Sequence, residues 1–280
     1  IIYFSELRVY SSHKELLKSI KNIHHVGLVP TMGSLHDGHL SLIERANREN
    51  EEIIVSIYVN PTQFNDKEDL KKYPRNLKDD LKKLNVFNNV IVYTPTDNDL
   101  YKESESSKQY DFGDFTNLME GRHRPGHFDG VATIIEKLFK IFTPNNAYFG
   151  EKDFQQLLLI KTLAEHLNLK TNVIGCKTIR ESDGLAMSSR NSLMTNNERE
   201  SASEIIKLLI RAKEMYSEFN VLDIKSEIEK KSESIDNFIL EYFEIMNLSE
   251  FSNISITDNE TRAFIACKVG KVRLIDNITL

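Results

Sequence analysis

Short apolar runs alternating with helix-like stretches constrain this chain more than any other feature. Residues 26–29 read Val-Gly-Leu-Val and stop at Pro30. Residues 53–59 are β-branched and nearly all apolar, and residues 90–93 read Val-Ile-Val-Tyr ahead of Pro95. Runs this short, with no polar alternation, are buried on both faces, the habit of strands in a parallel sheet. Between them Leu40, Ile43, Ala46 and Asn47 keep helical spacing to about Asn50, and Leu70, Leu77, Leu81 and Leu84 predict further helix. Strand, helix, strand, helix, strand is the pattern of a parallel α/β sheet. Phe128, Val131, Ile134, Ile135, Leu138, Phe139 and Phe142 then mark one face of an amphipathic helix that Pro144 ends. A short strand at 147–149, a helix over 154–167 and a strand starting at Val173-Ile174 follow.

After about Ile179 the texture changes. A Glu- and Lys-rich helix over 197–217 and a second near 224–234 precede three strands, at 238–246, 263–269 and 272–275. Gly270-Lys271 joins the last two as a hairpin. The expected organisation is a parallel-sheet domain over 1–178 and a smaller α+β domain over 179–280. The polar run 102–109 is expected to be a mobile loop.

Composition excludes several classes. With 36 basic against 42 acidic residues the formal net charge is −6, a poor balance for a nucleic-acid binder. Cys176 and Cys267 stand far apart, with no CxxC spacing and no disulfide framework, so two buried thiols in a reducing cytoplasm are expected. No apolar run approaches a membrane span. Ile1, Ile2, Tyr3 and Phe4 are interrupted at once by Ser5, Glu6 and Arg8, unlike a signal peptide.

Five segments offer chemistry. Between the first strand and the first long helix lies PTMGSLHDGH, residues 30–39. Ligands bind at the carboxyl ends of parallel strands, and a helix N-terminus there supplies free N–H groups to an anion. His36 and His39 share a face of the first turn and can both bond phosphate oxygens. Two surface histidines are the plain alternative. A His-x-x-His metal site lacks a nearby Cys or third His. Gly33 and Gly38 have P-loop spacing, but His39 stands where Lys should and Leu40 where Ser or Thr should. Past the second strand, Asn60 and Gln63 could bond a hydroxyl and a carboxylate without adding charge; Asn60-Pro61 also suits a simple turn. Arg122, His123, Arg124 and His127 form a basic loop suited to an anion or merely to solvent. Gly150, Glu151, Lys152, Asp153, Gln155 and Gln156 sit at another strand-to-helix turn. There Lys152 can meet phosphate, and Asp153 could contact ribose or Mg²⁺ or cap the helix. Finally, Ser188, Ser189 and Arg190 form a donor set for phosphates. Four of these segments follow strand ends, a pattern that points to ATP phosphates.

His-x-Gly-His followed far downstream by Met-Ser-Ser-Arg resembles the paired signatures of the nucleotidylyl transferase superfamily, which includes class I aminoacyl-tRNA synthetases. Within it PTMGSLHDGH, YVNPTQF, EDLKKYPR, RPGHFDGV, YFGEKDFQQ, RESDGLAMSSRN and RLIDN resemble, in order and over nearly the whole chain, the pantothenate synthetase (pantoate–β-alanine ligase) family. Ser34 departs from the more usual Ala. The resemblance implies a Rossmann-like N-terminal domain with a small C-terminal lid domain, in a cytoplasmic homodimer. It implies an ATP-dependent ligase that makes a pantoyl-adenylate, releases pyrophosphate, and passes the acyl group to β-alanine with release of AMP. Met32, Gly33, Ser34, Leu35, His36, Asp37, Gly38 and His39 would cradle ATP, with His39 donating to phosphate and His36 assisting. Lys152 with Ser188, Ser189 and Arg190 would stabilise the leaving pyrophosphate. Gly150, Glu151, Asp153, Ile179 and Met187 complete the implied ATP site. Gln63 and Gln156, with Asn60, would bind pantoate. Mg²⁺ would bridge phosphate oxygens without dedicated protein ligands, and Asp79 and Asp80 would stand near the phosphates. Rival readings are a transferase with a stable nucleotide product and a non-catalytic nucleotide sensor.

Overall fold

A computed structural model describes residues 7–21, 23–101, 107–250 and 260–280. The N-terminal apolar residues 1–4 and residues 102–106 of the polar run lie outside the described residues. The chain divides into two compact units, Ile1–Glu151 with Gln155–Lys177, and Lys152–Phe154 with Thr178–Leu280.

The first unit is built on six strands, β1 Arg8–Tyr10, β2 Val26–Thr31, β3 Glu52–Ile57, β4 Val90–Tyr93, β5 Asn146–Gly150 and β6 Asn172–Cys176, in the order β1-β4-β3-β2-β5-β6. Every pairing is parallel, as the unalternated apolar runs predict. The chain builds outward from β2 through β3 to β4, then returns to the other side of β2 with β5 and β6. The direction reverses between β2 and β5, so the connections leaving their carboxyl ends diverge and open a crevice. Ile53, Ile54 and Val55 are fully buried. Each contributes roughly 1.5–3 kcal/mol of burial. Val29, Leu35, Val55, Leu84, Val92 and Tyr148 share one core with Ile43 and Ala46 of the helix Asp37–Glu49.

In the first unit the structure differs from the sequence expectation in three main places. The edge strand β1 and the helix His13–Ser19 have no periodic signal, because three residues pairing only with β4 need no apolar run. The leucines at 70–84 belong to two helices, Lys67–Lys72 and Leu77–Leu84. Pro74 forces the break: Tyr73 before it is extended at ψ 125°. The second run ends as strand at Ile57, freeing Tyr58 and Val59 for the turn beyond.

In the second unit β7 Phe238–Asn247, β8 Thr261–Val269 and β9 Val272–Thr279 form an antiparallel sheet. Helices Asn196–Tyr216 and Val221–Ser232 bury Ile205, Leu209, Ile224 and Ile228 in one core with Ile265 and Cys267. Thr195 opens the first helix with a capping box to Glu198. The strand β9 runs to Thr279, beyond the expected 275, because the polar pair Asp276-Asn277 is buried against partners rather than ending the strand. Among the described residues no helix is long and apolar enough to cross a membrane.

One buried carboxylate ties residues 107–110 to the helix His127–Phe142. Glu136 receives Lys108 at 2.8 Å, Lys140, and the Tyr110 hydroxyl. Burial opposes its charge, but these hydrogen bonds outweigh it and hold its pKa down to about 2 from 4.5. A depressed carboxylate stabilises the fold above its unfolded pKa, and that contribution is lost as pH falls from about 4.5 toward 2. Glu136→Gln should therefore cost on the order of 2–3 kcal/mol at neutral pH and flatten the loss of stability in acid. Denaturant melts from pH 7 to pH 3 check this; parallel curves for both proteins contradict it.

Candidate active site

The turn leaving β2 is held by a buried acid. Gly33 takes φ +80° and Ser34 φ +51°, both left-handed, so the backbone reverses within two residues. A Cβ on Gly33 would lie 3.0 Å from Ile57 and 3.1 Å from Asp80, which with its φ makes glycine the fitting residue. Asp80, 1% exposed, accepts the N–H of Ser34 at 2.9 Å and of Leu35 at 2.7 Å, one on each oxygen. Lys83 donates to the Leu35 carbonyl. Thr31 adds a third tie: its hydroxyl donates to Ser56 O at 2.8 Å and accepts from Gly33 N at 3.2 Å. Asp80 is thus a clamp on this turn. Asp79 lies at the surface with Asn76 and Lys82.

The clamped turn delivers the helix Asp37–Glu49. His36 is its N-cap, and its backbone N–H donates to Nδ1 of His39 at 3.3 Å. An Nδ1 that accepts leaves the proton of a neutral ring on Nε2, so His39 presents an Nε2–H donor. The two ring centroids lie 4.0 Å apart. Both residues are half-buried at a helix N-terminus, where unpaired N–H groups favour an anion. Asp37 is exposed beside them.

Next to the turn lies a pocket of about 80 Å³, several times the space that one water needs. Thr31, Ser56, Tyr58, Asn60, Gln63 and Gln156 supply its polar atoms, and Val131, Ile134, Ile135 and Leu138 form an apolar wall. Asn60 is fully engaged inside the protein. Its Nδ2 donates to Gln63 Oε1 and Gly130 O, and its Oδ1 accepts from Thr62 and Tyr101. That bond to Oε1 turns the Gln63 amide so that Nε2 faces away, where it meets Met32 Sδ at 3.1 Å. The pocket and the turn therefore touch at Thr31, Met32 and Gln63. Of the twin glutamines, Gln155 is used on the backbone of Phe115, Leu118 and Glu120, whereas Gln156 faces the pocket. Tyr58 donates to Asp97 at 2.8 Å; burial and that carboxylate push its pKa up, so it stays a phenol.

Sequence reasoning missed what holds Gln63. The expected basic loop is partly the short helix Met119–His123, and two of its members turn inward. His127 donates from Nδ1 to Gln63 O at 2.8 Å, and Arg124 donates to His127 Nε2 at 3.0 Å. Gly130 lets this turn settle on the helix, since a Cβ there would lie 2.3 Å from Thr62 O. An isolated glycine inside a strong helical pattern is the one signal that could have shown it. Arg122 and His123 are exposed.

Of the other expected residues, Gly150 and Glu151 close the first unit and the rest belong to the second. Ile179 and Met187 pair across a turn, Met187 N donating to Ile179 O at 3.0 Å, beside a bridge between Arg180 and Ala186. Arg180 is anchored to buried Asp276 at 2.6 and 3.1 Å. Ser188 accepts from Arg190 N at 3.3 Å and opens the 3₁₀ turn Ser189–Leu193. Lys152 stands 3.8 Å from Asp153, and Gly150 ends β5 with open space before it. Among the described residues no group of three or more His, Cys, Asp or Glu is placed to hold a metal.

Comparison with known proteins decides the family. The model of the family described as pantoate-beta-alanine ligase matches residues 6–279. The chain belongs to the pantoate–β-alanine ligase family. It is 44% identical to the pantothenate synthetase of Flavobacterium psychrophilum, over 100% of this chain and 99% of that one. Among solved structures, the pantoate–β-alanine ligase from Thermus thermophilus superposes with a TM-score of 0.89 at 37% identity, covering 97% of this chain and 99% of that one. A pantoate–β-alanine ligase from Francisella tularensis, complexed with beta-gamma ATP and β-alanine, gives 0.81 at 35% identity, covering 98% and 97%. As a pantoate–β-alanine ligase, the chain is an enzyme, which sets aside the readings as nucleotide-making transferase and as sensor.

The clamp predicts a mutational contrast. Asp80→Asn offers one acceptor and two hydrogens to two buried N–H groups, and should cost about 1–3 kcal/mol while lowering turnover. Asp79→Asn, at the surface, should stay within about 0.5 kcal/mol. Denaturant melts of both check it; an Asp80→Asn protein with native stability and weakened ATP binding alone would instead place Asp80 at the phosphates.

Proposed function

We propose that this enzyme condenses pantoate with β-alanine through a pantoyl-adenylate. One observation carries the reading: a pocket of neutral amides and apolar side chains shares Thr31 with the turn that presents His39, and its Gln63 reaches Met32 of that turn. Pantoate has a carboxylate, two hydroxyls and a gem-dimethyl carbon. Gln63 and Gln156 suit its oxygens, and the Val131–Leu138 wall suits its methyls. Asn60 contributes by orienting Gln63.

A carboxylate oxygen of pantoate attacks the α-phosphorus of ATP, and the bond to the bridging oxygen breaks. Pyrophosphate leaves with the electron pair. The β-alanine amine then attacks the acyl carbon, AMP leaves, and the amine loses a proton to solvent. Both nucleophiles belong to substrates, so the protein's work is orientation and charge stabilisation. His39 Nε2–H and the N–H groups opening the helix Asp37–Glu49 act on the phosphates, with Met32 to Gly38 lining ATP. Lys152, Ser188, Ser189 and Arg190 neutralise charge on the departing pyrophosphate. Gly150, Glu151, Asp153, Ile179 and Met187 complete the ATP contacts. Mg²⁺ arrives with ATP as part of the substrate. The reading also includes a cytoplasmic homodimer; the free, buried Cys176 and Cys267 suit a reducing compartment.

Labelled pyrophosphate should exchange into ATP only when pantoate is present, and AMP should form only when β-alanine is added. Exchange independent of pantoate contradicts the adenylate. His39→Ala should slow exchange by roughly two to three orders of magnitude. Gln63→Ala should weaken pantoate far more than ATP in calorimetry; equal losses for both ligands would remove Gln63 from the acid site.

A further inference from the structure

Lys152 follows β5 almost directly in sequence, yet residues 152–154 group with the second unit. The contacts that hold them there come from the last two strands. Asn277 of β9, 4% exposed, donates Nδ2 to the carbonyl of Lys152 at 2.9 Å. Arg262 of β8 donates to Asn277 Oδ1 and lies over the Phe154 ring, 3.9 Å from its centroid. Asp276 accepts the Asn277 N–H at 2.8 Å and is itself fixed by Arg180. Opposite partners therefore set the Asn277 amide: a cation on its oxygen, a carbonyl on its nitrogen. The two residues at either end of the 152–154 segment are pinned, one by its carbonyl and one by its ring. Among the ion pairs of the described residues, the Lys152 ammonium makes a loose 3.8 Å contact to Asp153.

We propose that Asn277, backed by Arg262, is a positioning residue for Lys152. It fixes the backbone from which the ammonium reaches the phosphates of ATP. The proposal rests on the reading of Lys152 as a phosphate donor. It gives the polar pair at the end of the chain a task in the reaction, not merely in closing the sheet.

The test is a double-mutant cycle in the full-length enzyme, read by pantoate-dependent exchange of pyrophosphate into ATP. Asn277→Asp keeps the acceptor for Arg262 but sets a carboxylate oxygen against the Lys152 carbonyl. It should lower the exchange rate about 10- to 100-fold, the scale of a group displaced by an ångström, with the KM for pantoate within about 2-fold. In a Lys152→Ala background the same substitution should change the rate by no more than about 2-fold, since the group it misplaces is gone. Phe154→Leu removes the ring under Arg262 and should show the same dependence on Lys152, which keeps the test open if Asn277→Asp folds poorly. Equal losses with and without Lys152 overturn the positioning role while leaving Lys152 its own. Wild-type exchange in Lys152→Ala alone removes Lys152 from the reaction, and the positioning role with it.

Discussion

The carboxylate of Asp80, closed on two successive backbone N–H groups, is the constraint on which the sheet unit's site depends. Gly33 and Ser34 both sit in the left-handed region, and Ser34 carries a Cβ there at a cost of order 1 kcal/mol. A turn of that shape persists only where its surroundings over-determine it. Asp80 does so from a neighbouring helix, with Thr31 and Ser56 holding the other side. Two things follow from one clamp. The helix Asp37–Glu49 starts at a fixed place, so His39 can aim its Nε2–H. Thr31 is fixed as well, so the pocket wall and the turn proposed to face the phosphates keep a constant spacing.

The distribution of charge suits the chemistry. The pocket offers amides, hydroxyls and aliphatic carbon, with no lysine or arginine among its lining residues. A cation paired with the pantoate carboxylate would stabilise the nucleophile in its ground state and slow its attack. Amides orient it without that penalty. Lys152 and Arg190, by contrast, lie on the second unit, whose cations are proposed to act where negative charge accumulates as pyrophosphate departs.

Much of the fold can be read in the sequence because parallel strands bury both faces and leave runs such as 53–57 without alternation. The crevice could be anticipated from the glycines and histidines that follow two of those runs. What the sequence hides is the choice between neighbours. Asp79 and Asp80 differ by one position, which turns their side chains to different faces of a helix, and only packing shows that Asp80 faces the turn. Gln155 and Gln156 divide in the same way between backbone and pocket. Arg124 and His127 look like a surface anion site, but their partner is the carbonyl of Gln63, 61 and 64 residues away in sequence. Asp276 and Asn277 read as the end of a strand because their partners, Arg180, Arg262 and the Lys152 carbonyl, are distant in the chain.

The central claim is that the acid bound beside this turn attacks the α-phosphorus. The measurement that reaches it most directly follows oxygen. Pantoate labelled with ¹⁸O in both carboxylate oxygens is turned over with ATP and β-alanine, and the products are weighed by mass spectrometry. Attack at the α-phosphorus carries one labelled oxygen into AMP and leaves one in the amide product. Label found instead in inorganic phosphate or pyrophosphate, with unlabelled AMP, would contradict the account.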